Sequence, residues 1–446
     1  MKSLLALAAA VVAGCVLATV PAARADDPAP SSLQTWIDDT LPAPPVPEAP
    51  GEPEDGAGSA LWRAVLPSPT GDSAFDAWPD GLAARRPGEL IESRDVTAAA
   101  AALIGAPLAR AVLLKFRSTS ATGAPSFGTA TLLVPAVAWT GPGARPVEVD
   151  TLPINALGRH CTPGYTIAHE VRTNHDINVF LPGVAATLNK GHAALLPDHE
   201  GPWMSYAEPL VAGRTTLDSI RAVRAVFPDE FGDSRFAATG YSGGSIAAYA
   251  TTMLLPEYAP ELDGVLVGAA IGGLVTDYAA VAHVFNGRSA SGILLSVSLA
   301  LSREHPEMLR YMNNLAQWAA TSPLRDICGD ADGPLGAVGI PIDVAATVDH
   351  PLESDIADRI VRLMDLTDRR AATPLYIYHG ANDFWIPIQG PRDLYARQCA
   401  LGVPAQFRTV PGEHVTAMLN GNAGAVDWID ARLRGEPAPD ECPVLR

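Results

Sequence analysis

Residues 240–244 read Gly-Tyr-Ser-Gly-Gly, a Gly-x-Ser-x-Gly pentapeptide that lies between a strand pattern and a helix pattern. The preceding stretch 235–239 is mostly apolar, which predicts a short buried strand, and the Ala-rich stretch 245–250 favours a helix. A serine on such a sharp turn needs small neighbours, because the backbone there is crowded and strained. We therefore predict that Ser242 is a nucleophile and that the Gly243 N–H points toward the same space as its hydroxyl oxygen. The alternative is an ordinary Gly/Ser-rich loop, and the downstream sequence argues against it.

A nucleophilic serine on this turn needs a general base and an acid that orients the base, and both follow the serine in chain order. Residues 375–380 form a strand pattern that ends just before Asp383, and residues 405–410 form another that ends just before His414. The carboxyl ends of parallel strands share one edge of a sheet, which is where α/β folds build their sites. We therefore predict Asp383 as the acid and His414 as the base.

Other residues compete for these two roles. His379 is the rival base, but it lies at a strand end, before the predicted acid, and we interpret it as a structural residue. The alternative role of Asp383 is to cap a turn or a helix, and in that case Asp365 or Asp368 would be the acid.

A series of further short motifs carries a resemblance to a known family. In chain order they are Pro-Gly-Glu-Leu-Ile-Glu-Ser-Arg at 87–94, Cys-Thr-Pro-Gly at 161–164, Asp-His-Glu-Gly at 198–201, Leu-Asp-Ser-Ile-Arg-Ala at 217–222, Tyr-Ala-Pro-Glu-Leu at 258–262, His-Pro-Glu-Met at 305–308, His-Gly at 379–380 and Gly-Glu-His at 412–414. With these motifs the chain resembles the secretory lipase family of α/β-hydrolases, the lipase A type first known from yeasts, over most of residues 85–445.

The resemblance implies an α/β fold of the α/β-hydrolase type, with a mostly parallel central sheet, helices on both faces and a helical cap insertion. It implies a catalytic triad that falls on Ser242, Asp383 and His414. It also implies an oxyanion donor at Asn155, where one member of the family has an aspartate, in addition to the Gly243 N–H predicted from the turn motif.

The N-terminal residues 1–25 have the features of a secretory signal peptide. Lys2 is followed by an apolar run over 4–20 and by Ala-Arg-Ala at 23–25, a small-x-small cleavage pattern. We therefore expect a secreted protein, extracellular or in the cell envelope. The alternative is a lipoprotein anchored at Cys15, because Val-Ala-Gly-Cys at 12–15 resembles a lipobox.

Four cysteines follow the predicted signal peptide: Cys161, Cys328, Cys399 and Cys442. An even number in an exported chain favours disulfides over reduced, buried thiols, and metal-type Cys-x-x-Cys spacing is absent from the sequence. Four cysteines allow three pairings. The family resemblance implies Cys161–Cys328 and Cys399–Cys442.

Residues 26–58 are rich in Pro, Asp and Glu and contain no Lys or Arg, which predicts a disordered linker. Residues 59–446 are then one lipase-type domain. Within it, roughly a hundred residues separate the strand pattern that ends near Ala269 from the next one. We predict that residues 276–372 form a helical cap that builds an acyl pocket, the alternative being an ordinary buried helical layer.

We expect a serine ester hydrolase that acts on acylglycerols or other lipid esters, without a metal or an organic cofactor. The formal net charge of −18 argues against nucleic acid as a partner and against docking on anionic lipid. Transient contact with a lipid interface remains a possible interaction. The competing functions are an acyltransferase with the same triad, a small-ester esterase, a serine peptidase, and a non-catalytic binding protein on a hydrolase scaffold.

Overall fold

The computed structural model describes residues 33–47, 53, 56–329 and 339–442. The predicted signal peptide at 1–25 and the lipoprotein alternative at Cys15 lie outside the described residues. Within this part of the chain, no helix combines the length and the apolar character needed to cross a bilayer.

The centre of the molecule is a single sheet of nine strands with the order β1-β2-β3-β5-β4-β6-β7-β8-β9. The strands are β1 Leu90–Asp95, β2 Leu108–Thr119, β3 Pro125–Pro135, β4 Val147–Thr151, β5 Ala193–Pro197, β6 Phe236–Tyr241, β7 Leu266–Gly272, β8 Leu375–Gly380 and β9 Ala405–Val410. The pairs among β1, β2, β3 and β5 are antiparallel, and every pair from β5 to β9 is parallel. The prediction of a mostly parallel central sheet is confirmed.

Helices connect the strands. The α-helices are α1 Leu33–Thr40, α2 Ala60–Val65, α3 Ser73–Asp76, α4 Thr97–Ile104, α5 Pro163–Ala168, α6 His175–Asn178, α7 Leu181–Asn189, α8 Pro209–Val226, α9 Pro228–Phe231, α10 Gly243–Tyr258, α11 Tyr278–Phe285, α12 Ser291–Glu304, α13 Asn314–Thr321, α14 Asp355–Met364, α15 Gln389–Ala400 and α16 His414–Leu433. Short 3-10 helices lie at Leu82–Ala84, Arg159–Cys161, Pro260–Leu262, Pro306–Tyr311, Pro323–Asp326, Ile342–Ala345 and Pro351–Glu353.

The sheet is covered on both faces. Along β6, Phe236 and Ala238 belong to an apolar cluster with Leu217 of α8. Ala237 lies between them in sequence and belongs to a different cluster, with Trp428 of α16. Because successive side chains of a strand point to opposite faces, α8 and α16 pack on opposite faces of the sheet.

Four neighbouring parallel strands bring the predicted site residues to one edge. Strands β6, β7, β8 and β9 are adjacent, so their carboxyl ends lie side by side. Ser242 directly follows β6, Asp383 comes three residues after β8, and His414 comes four residues after β9. The topology therefore brings these three residues to the same edge of the sheet, although they are spread over more than a third of the chain.

The interval between β7 and β8 contains helices and turns in the described residues, with helices α11 to α14 as its main elements. Helix α12 places Leu294 in an apolar cluster with Ile246 of α10. The same helix places Leu299 in a second cluster with Leu157 and Tyr206. The inserted helices thus pack against the segments around Ser242.

The prediction of a disordered linker over residues 26–58 is wrong for residues 33–42. Helix α1 lies against the insertion, with Ile37 buried and the Asp38 carboxylate accepting a hydrogen bond from the Asn314 N–H at 2.7 Å. The indole N–H of Trp318 donates to the Pro42 carbonyl at 2.8 Å. The prediction of disorder considers only the apolar surface within the segment itself. In the structure residues 33–42 are ordered because a helix distant in sequence, α13, provides a surface against which they pack.

Two disulfides, Cys161–Cys328 and Cys399–Cys442, are present in the structure. They join residues 167 and 43 positions apart. The first connects the loop after β4 to the insertion, and the second attaches the C-terminal segment to the end of α15.

Candidate active site

Ser242 occupies a strained turn between β6 and α10. Its φ of 53° and ψ of −123° lie in a region that residues with a side chain rarely adopt. Its N–H donates to the Gly272 carbonyl at 2.9 Å, which holds the turn against β7. A Cβ atom at Gly244 would lie 1.9 Å from the Thr151 carbonyl oxygen, so glycine is required there for the helix to approach β4.

A continuous row of hydrogen bonds joins the three predicted residues. The Ser242 Oγ lies 2.9 Å from the His414 Nε2, and the His414 Nδ1 lies 2.7 Å from the Asp383 Oδ2. The Asp383 side chain is fully buried and that of His414 is 6 % exposed. The arrangement places an imidazole between a hydroxyl and a carboxylate, as general-base activation of a serine requires.

The Asp383 carboxylate is held in its charged form. Burial alone would raise the pKa of Asp383, but hydrogen bonds from His414 and from the Ile386 N–H outweigh burial and lower this pKa. Its other oxygen, Oδ1, accepts from the N–H groups of Trp385 and Ile386 at 3.0 and 2.9 Å. The carboxylate is therefore both fixed and ionised beside the imidazole.

His414 owes its position to the start of helix α16. Glu413 caps this helix, because its carboxylate accepts from the Val415 and Thr416 N–H groups, each at 2.9 Å. The Tyr241 hydroxyl donates to the His414 carbonyl at 2.6 Å, and the Tyr241 ring lies 5.2 Å from the imidazole. Backbone and ring are thus fixed from two sides.

His379 occupies a different position in the same acid loop. It is fully buried, and its Nε2 donates to the Ile386 carbonyl at 2.9 Å while lying 3.4 Å from the Asp383 Oδ2. Burial lowers its pKa, which keeps the ring neutral. It supports the loop that carries Asp383.

The two fallback acids are engaged elsewhere. Asp365 accepts hydrogen bonds from the Thr367 N–H and hydroxyl, and Asp368 forms an ion pair with Arg397 on an exposed surface.

Asn155 approaches the turn of Ser242 from the loop after β4. Its φ is 48°, and its Oδ1 is buried with no hydrogen-bond partner in the described part of the chain. A Cβ atom at Gly243 would lie 1.9 Å from this oxygen, so the carboxamide packs directly against the Gly243 backbone. Rotation of the carboxamide by 180° exchanges its oxygen and its NH₂, so either group can face the site.

Some residues at the site were missed by the sequence analysis. Tyr206 lies beside Gly243, with its ring carbon 3.6 Å from the position of an added Cβ. The Trp385 ring lies 5.4 Å from the His414 ring, and its buried indole N–H has no hydrogen-bond partner among the described residues. Trp385 could have been noticed, since it follows the predicted acid by two positions. Tyr206 has no comparable motif.

A model of the secretory lipase family matches residues 171–441, which is more than half of the chain. The chain belongs to the secretory lipase family. The resemblance inferred from the short motifs is confirmed, and the protein is a hydrolase of the lipase and esterase class.

Relatives of this chain come from yeasts and from bacteria. It is 28 % identical to "Lipase 1" of Candida albicans over 404 residues, covering 85 % of this chain and 83 % of that protein. It is also 28 % identical, over 392 residues, to a Mycobacterium tuberculosis protein described as a "Probable inactive lipase", with coverage of 85 % and 86 %.

Solved structures confirm the fold as that of an α/β-hydrolase. Candida antarctica lipase A in its closed state is similar with a TM-score of 0.73 and 23 % identity, covering 85 % of this chain and 91 % of that one. The rice cell wall degrading esterase LipA from Xanthomonas oryzae is similar with a TM-score of 0.57 and 16 % identity, with coverage of 79 % and 100 %.

A cavity of about 420 Å³ lies between the insertion and α15. Its walls include apolar Leu274, Val281 and Ile386 and polar residues such as Asp277 and Gln389. Ile386 also belongs to the loop that carries Asp383, so this loop forms part of the cavity wall.

One group in the described residues has the spacing of metal ligands, namely His160, Cys161 and Cys328. Both sulfur atoms are joined in a disulfide, so neither is available as a thiolate ligand.

Proposed function

We propose that this protein is an exported serine ester hydrolase that cleaves acylglycerols or other lipid carboxylic esters through an acyl-enzyme. The observation that carries the proposal is the hydrogen-bonded row Asp383–His414–Ser242, with distances of 2.7 and 2.9 Å. Family membership supports the same class of reaction.

The first half of the proposed reaction forms the acyl-enzyme. The Ser242 Oγ attacks the ester carbonyl carbon while the His414 Nε2 takes the hydroxyl proton. Asp383 keeps the Nδ1–H of the ring in place and stabilises the imidazolium that forms. The tetrahedral oxyanion accepts from the Gly243 N–H and from the Asn155 carboxamide, each worth about 3 kcal/mol of barrier.

The second half releases both products. His414 returns its proton to the departing alkoxide, and the C–O bond of the ester breaks to leave the acyl group on Ser242. His414 then takes a proton from a water molecule, whose oxygen attacks the acyl carbon. Collapse of this second intermediate gives the carboxylic acid and restores the Ser242 hydroxyl. The protein residues alone account for every proton transfer.

Apolar surface near the site supports a lipid substrate. Phe384, Val415 and Leu419 are 58 %, 50 % and 67 % exposed, and the first two directly follow Asp383 and His414 in sequence. Residues 415–426 at the start of α16 carry no charged side chain. Such a surface suits transient contact with uncharged lipid, and the inserted helices supply apolar walls for an acyl chain, at about 0.8 kcal/mol per buried methylene.

Export is supported by the two disulfides and by the family. A second candidate function is acyl transfer, because the same row of residues would pass an acyl group to an alcohol wherever water is excluded. Ester hydrolysis and acyl transfer would share the same acyl-enzyme on Ser242. Products formed in the presence of added glycerol or methanol distinguish them.

A phosphonate probe tests the proposal directly. An alkyl p-nitrophenyl phosphonate should add its mass to the peptide that contains Ser242. The Ser242→Ala variant should fold normally and lose on the order of 10⁴–10⁶-fold in kcat toward p-nitrophenyl esters. Labelling of another residue, or an alanine variant with substantial activity, would contradict the proposal.

A further inference from the structure

Arg303, at the end of the inserted helix α12, is a completely buried arginine. Its guanidinium donates hydrogen bonds to five main-chain carbonyl oxygens, those of Val65 at 3.0 Å, Leu157 at 2.9 Å, Trp203 at 2.9 Å, Met204 at 3.4 Å and Arg325 at 2.7 Å. Burial lowers the pKa of Arg303 to about 9, so the group remains charged at neutral pH.

The carbonyls that accept from Arg303 belong to four separate segments, and two of these segments bear residues of the candidate site. Leu157 lies two positions after Asn155, the candidate oxyanion donor. Trp203 and Met204 precede Tyr206, which packs beside Gly243. The guanidinium thus holds the two loops that flank the space next to the Gly243 N–H.

The segment that contains Arg325 lies against the main chain of Asn155. Arg325 belongs to the 3-10 helix Pro323–Asp326, and the following Ile327 carbonyl accepts from the Leu157 N–H at 2.9 Å. A Cβ atom at Gly329 would lie 2.9 Å from the Asn155 carbonyl oxygen. Arg303 therefore contacts the segment on each side of the Asn155 loop.

Backbone strain explains why these loops need to be held. Asn155 has a φ of 48° and Met204 a φ of 52°, each in a left-handed conformation that is unfavourable for a residue with a side chain and persists only where the surroundings impose it. The adjacent Glu304 adds to the constraint, because its carboxylate accepts from the Ser205 hydroxyl at 2.9 Å. A buried charge is costly by itself, and an apolar residue could fill the same volume at lower cost.

We propose that Arg303 is a positioning residue, which fixes the Asn155 and 203–206 loops at the distance from Ser242 that binding of the oxyanion requires. The inference rests on the proposed serine ester hydrolase function. Oxyanion donors act mainly in the transition state, so their displacement lowers kcat and leaves KM nearly unchanged. A shift of about 1 Å in such a group reduces the rate by about 10²-fold.

Arg432 provides a matched control. It is 4 % exposed, and it likewise donates to main-chain carbonyls, those of Glu436 at 3.0 Å and Pro437 at 2.7 Å. It lies on α16, 18 positions after His414, or about 27 Å along the helix. Its loss removes the same kind of interaction without touching the site.

The experiment compares Arg303→Met, Arg303→Lys and Arg432→Met with the wild-type protein, counting active sites by phosphonate labelling run to completion. We expect Arg303→Met to lose about 10²–10³-fold in kcat per active site, with KM changed by less than about threefold. The affinity for an alkyl boronic acid, which forms a tetrahedral adduct on serine, should weaken in proportion to kcat. Arg303→Lys should recover part of the loss, and Arg432→Met should keep kcat while its melting temperature falls.

A folded Arg303→Met variant with wild-type kcat per active site would overturn the positioning role. Should Arg303→Met fail to fold, Arg303→Lys decides, because it keeps the charge and loses the planar fork of donors. A kcat below wild type at unchanged KM then supports the proposal, and an unchanged kcat overturns it. If the phosphonate labels Ser242 in the wild-type protein, an unchanged kcat of the Arg303 variants overturns only the positioning role of Arg303. If the phosphonate does not label the wild-type protein, the proposed function itself is wrong.

Discussion

Two histidines contact the same carboxylate, and their second partners separate their roles. His414 joins Asp383 to the Ser242 hydroxyl, with 2.9 Å between its Nε2 and the serine Oγ. His379 joins Asp383 to the Ile386 carbonyl, which closes the acid loop on itself. On the proposed mechanism, the His414 ring faces the reacting serine and the His379 ring supports the backbone of the acid loop.

We therefore expect different defects when each ring is removed. His414→Ala should lower kcat toward a p-nitrophenyl ester by on the order of 10⁴-fold with a nearly normal melting temperature, since a base is lost and no buried support. His379→Ala should lower the melting temperature first and keep kcat within about tenfold. Activity per phosphonate-labelled site and thermal unfolding together measure both effects. A stable but inactive His379→Ala beside an active His414→Ala would reverse the assignment.

At the scale of residues, the sequence predicts those site residues that belong to a local motif or follow the end of a strand pattern. Ser242, Asp383 and His414 follow from a turn motif and from two strand ends, and chain order separates His414 from His379. Arg303 and Tyr206 could not be found in this way. The partners of Arg303 are main-chain carbonyls up to 238 positions away, and any residue type can supply a carbonyl.

At the scale of elements, helix α12 is one part of the insertion that packs against the candidate site. Leu294 is 7 % exposed and shares an apolar cluster with Ile246, one turn after Ser242 on α10. Trp385, beside the His414 ring, packs against the same cluster. On the proposed mechanism, this apolar cluster is the candidate surface for the acyl chain of the acyl-enzyme.

Leu294→Phe should shift the preferred acyl chain toward shorter esters, because the larger ring occupies volume that a long chain would use. The kcat/KM for a p-nitrophenyl acetate should remain within about twofold, as an acetyl group does not extend that far. Leu363, which is 42 % exposed on α14 of the same insertion, gives the control Leu363→Phe. If the profile peaks at acetyl in every variant, the protein is a small-ester esterase.

The elements themselves were predictable where apolar runs end in turn residues, as in β8 and β9. The antiparallel strands β1 to β3 and helix α1 were not predicted. Strand β2 contains a buried lysine, Lys115, whose Nζ donates to the carbonyls of Ser73 and Ala77 at 3.1 and 2.6 Å. Because the hydrogen-bond partners of Lys115 come from a distant loop, the sequence shows only a charged residue that interrupts the apolar pattern of the strand.

At the scale of the whole molecule, buried carboxyl groups couple stability to pH. Burial raises the pKa of Glu304 to about 7 and that of Glu208 to about 8, from an ordinary value of 4.5. The folded protein therefore keeps protons that the unfolded chain releases above pH 4.5. The stability that these groups contribute is complete below about pH 4.5 and is lost as the pH rises to about 7 and 8.

Glu304→Gln should make the free energy of unfolding less dependent on pH between 5 and 7. Glutamine imitates the protonated acid, and the rotatable Ser205 hydroxyl can accept from the new amide. Urea unfolding midpoints at pH 5, 6, 7 and 8 measure the slope. Glu257→Gln, at a carboxylate that is 72 % exposed, is the control and should keep the wild-type slope. Equal slopes for all three proteins would contradict the prediction.

The order of the three site residues along the chain bears on how such a protein leaves the cell. A polypeptide that crosses a membrane with its N-terminus leading delivers Ser242 long before His414, which comes 172 positions later. On the proposed mechanism the serine has no base until strand β9 has been added to the edge of the sheet. On the proposed export and mechanism, a chain of this topology cannot cleave esters until the segment that carries β9 and His414 has also been delivered and folded.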